Sequence, residues 1–233
     1  MAGLNSLIEK RSRSAHIMLN TGPRRPSKIV CVGRNYAAHA RELGNDVPER
    51  PLLFLKPPSS IISNGESIIV PLDSQRVEHE AEIGVVIGQR ARNVSEAEAL
   101  NIVTGYAPLN DVTARDLQKL DVQFTRAKSF DTFCPIGELI PKFKVKQWRD
   151  LQVVCRVNGE IRQSGIATDM VFGIPTLIAY ISRVMTLEPG DVIATGTPEG
   201  VGPLQPGDIV EVELPGLEAV QNPVTAHEDE VKW

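Results

Sequence analysis

The sequence predicts a predominantly β, α+β domain built around one core. Three observations predict it. Short β-branched runs bounded by Pro, Gly and Asn outnumber helical patterns along the 233 residues. The longest apolar stretches fall far short of a membrane span. Neither a low-complexity linker nor a repeat period divides the chain. Residues 28–233 are therefore read as one domain, preceded by an N-terminal arm over residues 1–27.

The elements follow in order. The arm ends in the turn TGPRRPS. KIVCVG is a short buried-strand pattern, and RNYAAHARELG is helical, closing on Gly44. VPERPLLFLKPPSSII carries too many prolines for anything but short strands between turns. ESIIVP reads as a strand, and so does RVEHEAEIGVVIG. SEAEALNIVTGY opens with Ser95 and has Glu98 three residues on, the spacing of a capping box. YAPLNDV is a strand and TARDLQKLD a helical turn or two. LQVVCRVNGEIRQSG is a hairpin, because Asn158-Gly159 supplies the positive φ angles of a tight turn. TDMVFGIPTLIAYISRVMTL has helical apolar spacing from near Asp169, with Pro175 expected to kink or delay it. EPGDVIATG and QPGDIVEVEL repeat one piece of turn chemistry, Pro-Gly-Asp feeding a β-branched strand.

Composition narrows the function. The chain is 42% hydrophobic and 23% charged, with a net charge of −4 and no basic stripe, which argues against a nucleic-acid partner. Its three cysteines are odd in number and lack CxxC spacing, which argues for a reducing compartment without a disulfide framework. Cys31 and Cys155 sit in apolar runs and read as buried thiols. The N-terminal stretch lacks the apolar region of a secretory signal. Although mildly basic, it contains Glu9, and a cytoplasmic arm is the expectation over an organelle-targeting one.

Four constellations carry chemistry. In RVEHEAEIGVVIG, Glu78, Glu80 and Glu82 alternate, so on a strand they share one face. That pattern fits a solvated edge face that deters edge-to-edge pairing. It equally fits a ligand set at the rim of a core, joined by Asp111 at the end of GYAPLND. Carboxylates converging without Cys or His make an all-oxygen site suited to Mg²⁺, Mn²⁺ or Ca²⁺ rather than zinc. In GRNYAAHARE, His39 and Glu42 are i, i+3 neighbours, either a surface pair or a base with its orienting carboxylate. The other histidines offer less: His16 lies in the arm, His227 in the charged tail, and His79 points away from the glutamates by alternation. Lys128, in RAKSFDTFCP, is an ordinary solvated lysine or a cation for an anionic substrate. TGTPEGVGP lacks the ending of a phosphate-binding loop and reads as a Gly-rich turn whose hydroxyls and N–H groups face a carboxylate.

Taken in order, GRNYAAHARE, EHEAEIGVVIG, NDVTARDLQ, RAKSFDTFCP, VNGEIRQ and TGTPEGVGP resemble the fumarylacetoacetate hydrolase family from about Lys28 to about Val212. Within it they look most like the small, single-domain acylpyruvase, oxaloacetate decarboxylase and tautomerase branch. The resemblance implies a mixed β-sandwich roll with flanking helices, assembled as a homodimer. It implies Mg²⁺ or Mn²⁺ held by Glu80, Glu82 and Asp111, with Glu78 left out. It implies that His39 and Glu42 act as base and orienter on a lid, and that Gln118, Lys128 and Thr197 contact the carboxylate and oxo groups of a small 2-oxo or 2,4-dioxo acid. The expected reaction is hydrolysis of a C–C bond in an acylpyruvate or fumarylpyruvate through a pyruvate enolate, with Lys128 stabilising the developing charge. Oxaloacetate decarboxylation or tautomerisation, isomerisation of 2-hydroxyhepta-2,4-diene-1,7-dioate, and a non-catalytic 2-oxo-acid binding protein are the alternatives. In one respect the chain departs from the acylpyruvase pattern: only the short stretch KLDVQFT separates the NDVTARDLQ segment from the lysine region.

Overall fold

The protein is described by a computed structural model over residues 17–19 and 22–227. Most of the expected arm lies outside the described residues, as does Trp233; within it, Ile17–Leu19 and Gly22–Arg24 pair antiparallel. Among the described residues no helix is long and apolar enough to cross a membrane.

Two mixed sheets form a sandwich. The six-stranded sheet runs in the order Ile140–Pro141, Val103–Asn110, Ala81–Ile87, Val192–Ala194, Ile29–Gly33, Leu52–Lys56. Its pairings are antiparallel except Val192–Ala194 beside Ile29–Gly33. The five-stranded sheet runs Glu160–Ile166, Gln152–Val157, Ile209–Leu214, Glu218–Ala226, Ile68–Val70, and only its last pairing is parallel. Strands Gln152–Val157 and Ile209–Leu214 of the second sheet lie against Ala81–Ile87 and Val103–Asn110 of the first.

The four inner strands of the six-stranded sheet are buried on both faces, so they read as continuous apolar runs rather than alternating ones. Ile83, Val85 and Ile87 join Val153, Cys155, Val212 and Val220 in the inter-sheet core. Val86 points to the other face, into a second cluster with Ile29, Cys31, Val192, Ala194 and Leu109. Each fully buried aliphatic side chain contributes roughly 1.5–3 kcal/mol relative to exposure. All three cysteines are free and buried, and burial pushes the Cys134 and Cys155 thiols up to about 12.

The local elements follow the sequence with two corrections. The hairpin turns on Asn158 (φ 54°) and Gly159 (φ 82°). Pro175 delays the long helix, which spans Ile174–Val184 with the proline in its first turn, where its missing N–H has no intrahelical partner to lose. The helix expected from Ser95 is a single turn, Glu96–Ala99, followed by a 3₁₀ turn, Leu100–Ile102. Its capping box does not form: the Ser95 hydroxyl donates to the Glu98 carboxylate at 2.7 Å instead of bonding the backbone.

The acidic ribbon is the second correction. Regular pairing stops at Glu80, so it is two strands. Val77–His79 pairs with Thr113–Ala114 and Gly202–Pro203, whereas Ala81–Ile87 belongs to the large sheet. Strict alternation therefore does not carry across the three glutamates.

Candidate metal centre and its cavity

The break at Glu80 decides which carboxyls meet. Glu80 and Glu82 converge with Asp111, which follows the end of the neighbouring strand Val103–Asn110. Ligand atoms of the three lie within 4.8 Å of one another, and all three residues are buried. The Asp111 N–H donates to the Glu80 carbonyl at 2.8 Å, and the Glu80 N–H donates to Asn110 Oδ1 at 2.9 Å, so the two segments are pinned together by backbone. Glu78 turns away from the set. It accepts from Arg115 Nε at 2.7 Å and pairs with Arg76.

Four buried carboxyls here face three buried cations. Lys56 Nζ donates to Asp111 Oδ1 at 2.6 Å. Lys128 Nζ donates to Glu80 Oε2 at 2.6 Å and to Asp111 Oδ2 at 2.7 Å. Arg115 bridges Glu78 and Glu80. Among the described residues Glu82 makes no ion pair, and it is held by the Gly196 N–H at 2.7 Å.

The titration behaviour follows. Burial would raise the Glu80 carboxyl, but Lys128 and then Arg115 override it and hold it below the usual carboxylate range. Burial raises Glu82, the nearby Asp111 and Glu80 charges raise it further, and its carboxyl stands well above the usual range. A buried carboxyl short of positive charge, beside two others within ligand reach, fits a divalent cation.

The three carboxyls open onto a cavity of about 380 Å³. His39, Glu42, Gln118, Lys128 and Thr197 line it, so the structure gathers the sequence-predicted residues around one space. Helix Ala37–Glu42 carries His39 and Glu42. The imidazole is buried, with Nδ1 donating to Glu42 Oε2 at 3.3 Å. The other Glu42 oxygen accepts the Gly200 N–H at 3.0 Å, fastening this helix to the 195–203 loop. Gln118 Oε1 accepts from Arg115 Nη1 at 2.6 Å.

Lys128 is not a free solvated lysine. It is 2% exposed and tied to two carboxyls, which with burial acting against them still raise its pKa.

The protons around Thr197 are settled by backbone groups. The Ala81 N–H donates to Gln163 Oε1 at 3.0 Å, so Nε2 must donate to Thr197 Oγ1 at 2.7 Å and to the Pro198 carbonyl at 2.8 Å. His79 Nδ1 is 2.9 Å from the same Oε1 and must carry a proton. Burial lowers the pKa of His79, leaving the ring neutral. The Thr197 hydroxyl donates its own proton to the Ala81 carbonyl at 2.9 Å. Towards the cavity it offers a lone pair.

Sequence reasoning missed Lys56, Arg115 and the His79–Gln163 pair. Lys56 closes an apolar run, LLFLK, a place where a lysine signals an inward charge. Arg115 and Gln163 stood inside quoted motifs without a role.

Comparison with known proteins agrees with this architecture. The family described as fumarylacetoacetate (FAA) hydrolase C-terminal matches residues 28–225. The chain is 50% identical to a mitochondrial oxaloacetate tautomerase of Arabidopsis thaliana, over 84% of this chain and 89% of that protein. It is 46% identical to a mitochondrial oxaloacetate decarboxylase of Dictyostelium discoideum, over 82% and 90% of the two chains. The crystal structure of a Pseudomonas aeruginosa fumarylpyruvate hydrolase in complex with Mn²⁺ and pyruvate superposes with a TM-score of 0.85 at 30% identity, covering 92% of this chain and 97% of that one. A match over most of the length, with relatives of related chemistry near half identity, gives one conclusion: the chain belongs to the fumarylacetoacetate hydrolase family.

Proposed function

We propose that the protein is a divalent-cation-dependent enzyme that enolises small 2-oxo acids, with keto–enol conversion of oxaloacetate as its reaction. One observation carries the reading: the buried Glu80, Glu82 and Asp111 carboxyls converge at a cavity that His39 and Glu42 also line. Mg²⁺ or Mn²⁺ held by these three carboxyls would act as a Lewis acid towards the 1-carboxylate and 2-oxo oxygens of the substrate.

The chain's own residues supply the rest. His39, with Nδ1 committed to Glu42, has its other ring nitrogen available to take a proton from C3 and deliver it to the adjacent 2-oxo oxygen, giving the enol, and to carry it back in the reverse direction. Lys128 brings a fixed positive charge beside Glu80 and Asp111, where negative charge develops on the substrate oxygen. Gln118, on the cavity wall, is positioned to meet the substrate's carboxylate. The lone pair of Thr197 accepts from a donor, which an enol hydroxyl is and a keto oxygen is not. That difference, with the identity to oxaloacetate tautomerases, supports the tautomerase reading.

A second reading is hydrolysis of a 2,4-dioxo acid, with His39 deprotonating water for attack at C4. The likeness to the fumarylpyruvate hydrolase supports it. Incubation with oxaloacetate, acetylpyruvate and fumarylpyruvate plus Mg²⁺ or Mn²⁺, followed by mass spectrometry and ultraviolet absorbance of the enol, separates the two. Accelerated enol–keto exchange without cleavage supports the first, and pyruvate with a second acid supports the other. Pyruvate with CO₂ would identify decarboxylation instead. Absence of turnover on every substrate would overturn the enzymatic reading.

A further inference from the structure

The cavity is graded from floor to rim. The floor carboxyls are at most 4% exposed, while Arg34 on the wall is half-buried and Lys119 is exposed. The cations at the floor are committed: Lys56 to Asp111, Lys128 to Glu80 and Asp111, and Arg115 to Glu78 and Glu80. Among the described residues Arg34 makes no ion pair and no side-chain hydrogen bond, which leaves it as the half-buried cation of this wall without a partner.

Its backbone adds a second observation. Arg34 follows strand Ile29–Gly33 with φ 58°, in the left-handed region that costs a non-glycine residue. Glycine would make this turn more cheaply. Neighbouring Asn35 already anchors the turn, donating to the Phe172 and Thr195 carbonyls and accepting the Phe172 N–H. Strain kept at a cavity wall points to the side chain as its reason.

We propose that Arg34 selects the substrate by binding the distal carboxylate of a dicarboxylic 2-oxo acid. The assignment rests on the proposed function, which turns the 2-oxo acid end towards the floor. A C4 dicarboxylate then presents its second carboxylate towards the rim, where a guanidinium offers paired N–H donors in the plane of the carboxylate. A monocarboxylic acylpyruvate has no such group.

The test compares the full-length Mn²⁺-loaded protein with Arg34→Gln, Arg34→Lys and Arg34→Gly variants, the last compatible with φ 58° and so insulated against misfolding. Steady-state kinetics are read on oxaloacetate and acetylpyruvate. The ratio of kcat/KM for oxaloacetate to that for acetylpyruvate should fall roughly tenfold or more in Arg34→Gln and Arg34→Gly. The fall should appear in KM, with Arg34→Lys between them and the parent. A ratio within about twofold of the parent in both would overturn the assignment. If the parent turns over neither substrate, the proposed function fails, and thermal shifts judge Arg34 separately. Loss of the shift given by oxaloacetate, with the shift given by oxalate retained, supports the role; equal loss or equal retention of both overturns it.

Discussion

Gly200 donates its backbone N–H to Glu42 Oε1 at 3.0 Å, so the carboxylate that orients His39 also closes the helix onto the loop opposite. Gly200 sits at φ 94°, and a Cβ there would lie 2.1 Å from the Arg162 carbonyl. Gly200→Ala should therefore destabilise the protein by about 2 kcal/mol or more in denaturant titrations, through backbone strain together with collision. Glu42→Gln keeps the bond to Gly200 but weakens the hold on the imidazole. It should lower kcat by about tenfold or more with Mn²⁺ affinity retained, measured by turnover and calorimetry.

The carboxyls of the triad should respond differently to neutralisation. Asp111→Asn strips Lys56 and Lys128 of a partner inside the core, and unfolding in denaturant should show a loss of about 3–5 kcal/mol. Glu82→Gln removes no ion pair, so the metal-free variant should match or exceed the parent in stability while losing its thermal response to Mn²⁺. Similar destabilisation by both substitutions would contradict the charge arrangement described here.

Glu82 also sets a pH dependence. Burial, with Asp111 and Glu80 adding to it, lifts its folded pKa above an unfolded value of about 4.3. The folded state then binds the proton more tightly, so this group's contribution to stability falls as pH rises from about 4.3 towards the folded value. Cation binding needs the carboxylate and expels that proton. The rise in Tm given by Mn²⁺ should therefore be larger at about pH 7.5 than at about pH 5.5. An equal rise at both would show that Glu82 is ionised throughout.

Gln163 should tolerate little change. Gln163→Glu puts a carboxyl oxygen against the Pro198 carbonyl, 2.8 Å from the present amide nitrogen, and withdraws the donor that fixes Thr197. A destabilisation of about 1–3 kcal/mol is expected in denaturant titrations. Unchanged stability would mean that the amide does not hold this network.

Much of the framework was legible because it depends on near neighbours in sequence. Asn158-Gly159 wrote its own turn, Gly44 ended its helix at φ 69°, and the apolar run after Glu82 declared a strand buried on both faces. The choice of Glu80, Glu82 and Asp111 over Glu78 came from family resemblance, because alternation alone puts Glu78 on the same face. What separates them is the interruption at Glu80, and that depends on Asn110 and Asp111 some thirty residues away. Lys56 was missed for the same reason: the apolar run before it signals an inward charge, but its partner is 55 positions distant. The capping box failed because the Ser95 hydroxyl and the Glu98 carboxylate bond each other instead of accepting from the backbone N–H groups that a capping box pairs them with.

The central strand Val192–Ala194 lies between Ala81–Ile87 and Ile29–Gly33. During synthesis both outer neighbours leave the ribosome about a hundred residues or more before the strand that joins them exists. The large sheet cannot close until then, and Gly196, which holds Glu82, emerges only two residues later. A nascent chain thus acquires its core and its ion-binding corner in the same late step, and a chain stopped short of that strand would have neither.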